Sequence, residues 1–388
     1  VRIGVVAGEV SGDILGARVL AALRQHYSDI VFEGVGGPLM QAQGLHSLYP
    51  LERLSVMGLV EPLQRLPELV RMRRALYRHF RANPPDLLLG IDAPDFNLAL
   101  ERKLRRLDIS TAHLVSPSVW AWRRGRIHKI KRSVDLMLCL FPFETQIYRQ
   151  HRVPVQFVGH PLADEIAVPL DQAAARAALG LPEAGKLLAI LPGSREREVA
   201  LLAPDFLRAA RLLCAGDSRL GIIVPAATDA LHRQLTHLLA AYPELPVTLV
   251  KGQSRQVMAA ADAVLLASGT ASLEAALLRR PMVVAYRMGG LSWALLSRLL
   301  KTPFVALPNV LAGRALVPEL LQHEASPEAL AAAMLPLLDG GVAVRLQLQG
   351  FADIHRQLRG DYAQSAAAAL VKLISDKPGG SSGRSVPA

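Results

Sequence analysis

The sequence is poor in residues that staple or anchor a chain. Two cysteines, Cys139 and Cys214, stand among 388 residues. Two thiols cannot build a disulfide framework, and their spacing fits no metal motif. They read as buried, inert thiols of a cytoplasmic protein. No apolar run reaches the ~18 uninterrupted residues of a membrane span. The opening residues, 1–8, lack the charged, apolar and small-residue order of a secretory signal. Aromatics make up 5% of the chain. They form no stripe alternating with basic residues, which argues against a nucleic-acid partner. Walker A, G-x-G-x-x-G and Asp-x-Asp patterns are all missing, as is any His/Cys/Asp cluster with ligand spacing. ATPase chemistry, a bound dinucleotide and a metal ion therefore lack support, and no cofactor is implied.

What is abundant is apolar sequence, at 51%, and basic charge, at a net +11. The first fits large cores in two domains. The second suits phosphorylated small molecules, anionic lipid or nucleic acid. Short apolar runs alternate with helical stretches throughout. In the first half the runs are Arg2–Ala7, Val31–Val35, Leu87–Ile91, Thr111–Val115, Leu136–Leu140 and Val155–Val158. In the second half they are Leu187–Leu191, Leu220–Val224, Val247–Val250, Ala263–Ala267 and Met282–Ala285. This pattern predicts an α/β fold of two Rossmann-like, doubly wound domains, covering 1–165 and 166–342. A final helix over about 343–374 follows, and then a Gly/Ser/Pro-rich tail, 377–388, reads as disordered.

Ligands of parallel sheets bind beyond the C-terminal ends of strands, so the segments after each strand hold the candidate residues. Ser268-Gly269-Thr270 opens a helix whose free N–H groups favour a diphosphate, and Glu274, one turn on, can accept from ribose hydroxyls. An ordinary capped helix is the plainer alternative. Gly193-Ser194-Arg195 puts a guanidinium at the sheet mouth, where its fork can grip diphosphate oxygens; Arg287 or Arg314 could add charge. Asp92 ends a strand, where a general base belongs, although turn chemistry also favours Asp there. Asp95 is a candidate helix cap. Gly8, Glu9, Ser11 and Asp13 form a glycine loop able to seat an acceptor sugar, and Ser116 and Trp120 follow another strand. The stretch Arg123–Arg132 holds six Lys or Arg residues, either as a solvated face or as an attractor of phosphate or anionic lipid. Val56–Val70 carries apolar residues near helical spacing, edged by arginine and broken by Pro62 and Pro67. It reads as an irregular helix, either buried or lying in a membrane surface.

Together the stretches AGEVSGD (7–13), GIDAPDFN (90–97), SPSVWAWR (116–123), GHPLAD (159–164), LPGSRERE (191–198), SGTASLE (268–274) and LPNVLAGR (307–314) resemble the lipid-A-disaccharide synthase family of bacterial glycosyltransferases. The resemblance spans nearly the whole chain. It implies a GT-B-type architecture with the nucleotide in the second domain and the final helix packed back on the first. It implies UDP-2,3-diacylglucosamine as donor and 2,3-diacylglucosamine 1-phosphate (lipid X) as acceptor, joined β-1,6 with inversion. Asp92 would be the base and Arg195 the diphosphate contact. Gly193, Ser194, Ser268, Gly269, Thr270, Glu274, Asn309 and Arg314 would hold UDP. Val60, Leu63, Leu66, Leu69 and Val70 would meet acyl chains or the cytoplasmic face of the inner membrane, making the enzyme peripheral; a homodimer is compatible with this. Val10 and Pro161 depart from the commoner family residues without touching a proposed catalytic group. The rivals are a UDP-N-acetylglucosamine 2-epimerase or peptidoglycan transferase of the same fold, and a non-catalytic nucleic-acid binder, whose binding would depend strongly on salt.

Overall fold

The computed structural model describes residues 1–54, 66–120, 125–167, 170–289 and 302–377. The chain divides into two compact units. One is Val1–Asp164 together with the segment from Leu358 onward; the other is Glu165–Gln357.

The first unit is built on a seven-stranded, all-parallel sheet of order β3-β2-β1-β4-β5-β6-β7. Its strands are β1 (Arg2–Ala7), β2 (Val31–Val35), β3 (Leu45–Tyr49), β4 (Leu87–Ile91), β5 (Ser110–Leu114), β6 (Leu136–Cys139) and β7 (Val155–Phe157). Its helices are α1 (Val10–His26), α2 (Pro38–Ala42), α3 (Leu66–Ala82), α4 (Pro94–Arg105), α5 (Arg126–Lys131), α6 (Glu144–Gln150) and α7 (Pro161–Glu165). The central strands β4 and β5 are buried along their whole length, as near-continuous apolar runs demand when both sheet faces are covered. Ile3, Val5, Ala7, Leu87 and Leu89 point to one face and pack under α1. Val6 and Leu88 point to the other, under Met72, Leu76 and Phe80 of α3 and Leu100 and Leu104 of α4.

The second unit repeats the plan with six parallel strands in the order β10-β9-β8-β11-β12-β13. These are β8 (Leu187–Leu191), β9 (Gly221–Ala226), β10 (Val247–Lys251), β11 (Ala263–Ala267), β12 (Met282–Tyr286) and β13 (Glu319–Leu321). The helices are α8 (Gln172–Ala178), α9 (Glu196–Gly216), α10 (Asp229–Leu239), α11 (Ser254–Ala260), α12 (Thr270–Leu277), α13 (Leu307–Ala312) and α14 (Pro327–Leu338). Phe206, Leu207 and Leu213 of α9 and Leu330 and Met334 of α14 fill one core with Leu188, Ile190 and Leu265. Asp171 caps α8 by accepting from the Ala174 N–H at 2.8 Å, which satisfies one orphan donor of the first turn.

Three expectations change. β3 and β13 are edge strands that the apolar runs did not reveal. The single final helix is two helices, α15 (Val342–Leu358) and α16 (Tyr362–Ser375). Asp361 stands between them at φ +46 and accepts from Gln364 N–H as the N-cap of α16. α16 packs on the first core, through Tyr362, Ala366, Ala367 and Leu370. Asp95 is not the cap of α4; that place falls to Ala93, and Asp95 pairs with Arg126 at 2.8 Å instead. Of the apolar Val56–Val70 stretch, Leu66, Leu69 and Val70 open α3, whereas Val60 and Leu63 lie outside the described residues, as does the tail beyond Lys377. Among the described residues no single helix is long and apolar enough to cross a membrane.

Candidate functional site

Each sheet reverses its winding once, between β1 and β4 in the first unit and between β8 and β11 in the second. Loops leaving the C-terminal ends of neighbouring strands diverge there and open a crevice. Gly8 and Asp92 lie at the first, and Gly193, Ser194, Arg195, Ser268, Gly269 and Thr270 lie at the second.

At the first, β4 runs into Asp92 and Ala93, both left-handed at φ +53 and +41. Non-glycine residues adopt this region only where surroundings enforce it. Here the Asn97 side-chain amide does so. It donates to the Val6, Ile91 and Asp92 carbonyls at 3.0, 3.3 and 2.9 Å, tying the turn to β1. The Asp92 Oδ1 accepts from Ala93 N–H at 2.9 Å, and the residue is half-buried, so its second oxygen is not enclosed in the core. Gly8 packs directly against this turn. A Cβ at Gly8 would lie 2.1 Å from the Ala93 Cβ, so only glycine permits the approach. Glu9 and Ser11 are exposed at the start of α1.

Asp13 departs from the expected acceptor role. It is 3% exposed, and its carboxylate accepts from the Gly37, Leu39 and Met40 N–H groups at 2.9, 3.0 and 3.0 Å. It therefore clamps the start of α2 to α1. Ser116 departs in the same way, since its Oγ is buried within 2.8 Å of the Tyr148 Oη. Trp120 lies edge-on to Phe143, centroids 4.9 Å apart. Beneath them sits Glu144, a residue the motifs did not single out. Burial pushes its carboxyl up to about 8, against hydrogen bonds from Phe141 N–H, Ser116 and Trp120. His160 lies tilted against Phe141, ring centroids 5.1 Å apart, and burial pulls it down to about 4, opposed by Asp164. It is neutral at pH 7. Deeper still, Glu101 and His113 form a fully buried pair at 2.7 Å, with the Glu101 carboxyl raised by burial and partly restored by His113.

The second switch point is open. A cavity of about 550 Å³ lies between the loops after β8 and β11, lined by Gly193, Ser194, Arg195, Ser268, Gly269 and Thr270 together with parts of the β9 and β10 loops. Gly193 has φ +134, and a Cβ there would meet Glu198 at 2.7 Å. Glu198 accepts from Ser194 N–H at 3.2 Å, shaping the loop while Arg195 stays 81% exposed and only 3.7 Å from Glu198. Its guanidinium is thus available to an anion. Thr270 begins α12, whose N-terminal N–H groups and dipole favour negative charge. Glu274 is held by Arg255 at 2.6 Å, a partner that the sequence did not announce. Arg255 also reaches Glu165 at 3.3 Å.

Two further assignments change. Asn309 is fully buried. Its amide donates to the Val317 carbonyl and Glu319, and its oxygen accepts from Leu316 and Val317 N–H. No polar capacity remains for a ligand, so it fixes the chain between α13 and β13. Arg287 is bound to Asp205 and to the Gln322 and Ala325 carbonyls, which removes it as a diphosphate contact. Arg314 is exposed. Among the described residues no three His, Cys, Asp or Glu side chains gather as a metal-binding group.

Two Rossmann-like units, each a parallel sheet that reverses its winding once, define the two-domain GT-B fold. A UDP-GlcNAc 2-epimerase from Neisseria meningitidis solved with UDP-GlcNAc has a TM-score of 0.63 at 12% identity, covering 97% of this chain and all of that one. The calicheamicin glycosyltransferase CalG4 has a TM-score of 0.56 at 17% identity, covering 96% and 98%. Such identities speak for the fold alone. The family model for lipid-A-disaccharide synthetase matches residues 3–372, and the chain belongs to that family of glycosyltransferases. Its relatives include the lipid-A-disaccharide synthase of Pseudomonas aeruginosa, 54% identical over 96% of this chain and 98% of that protein. That of Saccharophagus degradans is 53% identical over 97% of each.

Proposed function

We propose that the chain transfers 2,3-diacylglucosamine from UDP to lipid X, giving the β-1,6 disaccharide 1-phosphate and UDP. The observation that carries this reading is family membership over 96% of the chain combined with the open cavity around Arg195 and the α12 N-terminus. The bond from the donor C1 to the UDP oxygen breaks as the acceptor O6 bonds to C1 from the opposite face, so the configuration inverts. Asp92 takes the O6 proton. Arg195 and the N–H groups opening α12 receive the charge that develops on the departing diphosphate. Glu274, oriented by Arg255, accepts from the ribose hydroxyls. Gly8, Glu9, Ser11 and Trp120 face the acceptor; Asp13, Ser116, Asn97 and Glu144 hold their loops in shape. We assign the protein to the cytoplasmic face of the inner membrane, with the segment around Leu66, Leu69 and Val70 toward the lipid.

The test is UDP release from UDP-2,3-diacylglucosamine and lipid X, dispersed in detergent with EDTA present. Turnover that requires lipid X supports the reading. A folded, UDP-binding protein that releases no UDP from this pair, or that epimerises UDP-N-acetylglucosamine, would refute it.

A further inference from the structure

Beneath the Asp92 turn, α4, β4 and β5 bring three buried polar side chains together. Asn97 and Glu101 stand four residues apart on α4, so they share one helix face, and both are buried. His113 of β5 is buried beside them, with Gly90 of β4 as its register partner. Partners in a parallel pair lie on the same face of the sheet. The Glu101 carboxyl lies across Gly90 and shares a hydrogen bond with the His113 Nδ1 at 2.7 Å. A Cβ at Gly90 would stand 2.0 Å from Glu101 Oε1 and 3.1 Å from the Asn97 Cβ. Gly90 is therefore the notch in β4 that lets both α4 side chains settle on the sheet.

Packing alone does not call for this pair. A buried acid and imidazole lose their hydration, and one bond between them returns only part of it. Leu88 of β4 and Leu100 and Leu104 of α4 show the apolar solution that the same two elements use elsewhere. Among the described residues the Glu101 Oε2, His113 Nε2 and Asn97 Oδ1 atoms have no hydrogen-bond partner, which makes the arrangement less favourable still. What two leucines would not supply is direction. The bond from α4 to β5 fixes how far α4 slides along the sheet and how it turns about its own axis. One turn nearer its N-terminus the same helix carries Asn97, whose amide meets the Val6, Ile91 and Asp92 carbonyls at 3.0, 3.3 and 2.9 Å. Those bonds hold the left-handed Asp92–Ala93 turn. A small slide of α4 would disturb all three at once.

We infer that Glu101 and His113 are positioning residues for the reaction: by pinning α4 to β5 they set the place of Asp92. The inference rests on the proposed role of Asp92 as base and deepens it. Neither side chain is placed to touch a substrate. Their effect passes through Asn97 to the turn, so it falls on activation of the acceptor hydroxyl and leaves the nucleotide cavity of the second unit alone. Burial favours the neutral carboxyl of Glu101, which an amide imitates in size and in its acceptor oxygen.

The experiment compares the full-length parent, Glu101→Gln and the double variant Glu101→Leu/His113→Leu, each with and without Asp92→Asn. Exchanging both members of a buried pair for apolar residues tends to preserve folding, which melting curves check. In the double-leucine variant kcat for transfer to lipid X should fall about 10²-fold, the effect of misplacing a reacting group by ~1 Å. The KM for lipid X and the affinity for UDP should stay at parent values. Glu101→Gln should bring kcat back close to the parent. Gly90→Ala, whose methyl pushes Glu101 off His113, should repeat the double-leucine pattern and serves if that variant does not fold. With Asp92→Asn already present, the two leucines should cause no further loss, because the group they displace is gone. Amide hydrogen exchange gives a readout independent of turnover: residues 90–97 should exchange faster in the double-leucine variant and at the parent rate in Glu101→Gln. An equal further loss of kcat with and without Asp92→Asn would make the pair a merely structural element and overturn the inference. Parent kcat in the double-leucine variant, or unchanged exchange across 90–97, would overturn it too. Parent-level turnover in Asp92→Asn would remove the base and this inference with it. A parent that transfers nothing to lipid X would refute the proposed function, and the exchange rates would then decide whether the pair sets the turn.

Discussion

The two switch points share one topology and are finished in opposite ways. In the first, the protein fills its own crevice. Gly8 lies against Ala93, Asn97 ties β4 to β1, and Asp13 clamps α2. In the second, the same crevice is left open as a cavity of about 550 Å³ with Arg195 81% exposed at its rim. On the proposed function the difference separates two jobs. A base must be held at a fixed place, which suits a closed, hydrogen-bonded turn. A diphosphate must enter and leave, which suits an open mouth with free donors and positive charge.

The comparison breaks first at Arg195. Arg195→Ala should lower kcat/KM by about 10²–10³-fold, the loss typical of removing one preorganised stabiliser of developing charge, with thermal stability nearly unchanged because the side chain is 81% exposed and its ion pair with Glu198 is a long surface pair. Steady-state kinetics beside a melting curve checks both halves. Next comes Gly8→Ala, where the added methyl collides with Ala93. Overpacking of this kind should cost about 1–3 kcal/mol of stability and reduce turnover while UDP affinity stays at the parent value; calorimetric titration with UDP decides this. A third test concerns Glu144. Its carboxyl is raised from 4.5 to about 8 by burial, so the folded state holds a proton that the unfolded chain has released. Stability from this group is whole below 4.5 and falls as pH rises toward 8. Glu144→Gln keeps a neutral side chain, so its advantage over the parent should grow between those values. Equal melting temperatures across that range would contradict the assignment.

Much of this plan was legible in the sequence because β4, β8 and β11 are short, unbroken apolar runs. β3 escaped because Leu45–Tyr49 is an edge strand with a half-exposed, mixed composition. β13 escaped because three partly exposed residues make no pattern. The last helix looked continuous because a lone Gly360 is tolerated in a helical pattern, and only the left-handed Asp361 shows the break. At the site, the loops were legible and the division of labour within them was not. Asp13, Ser116 and Asn309 are polar residues in ligand-like loops, yet their hydrogen bonds go to backbone groups, to Tyr148 or to Glu319. Arg255, 19 residues before Glu274, became a neighbour only on folding.

The central claim is that the closed turn of the first unit supplies the base while the second unit alone binds the nucleotide. Asp92→Asn tests it most directly, with UDP affinity and transfer to lipid X measured on the same preparation. The account predicts a loss of turnover of about 10²–10⁴-fold, the usual contribution of a general base, with UDP affinity unchanged. Parent-level turnover in Asp92→Asn, or a matching loss of UDP binding, would contradict it.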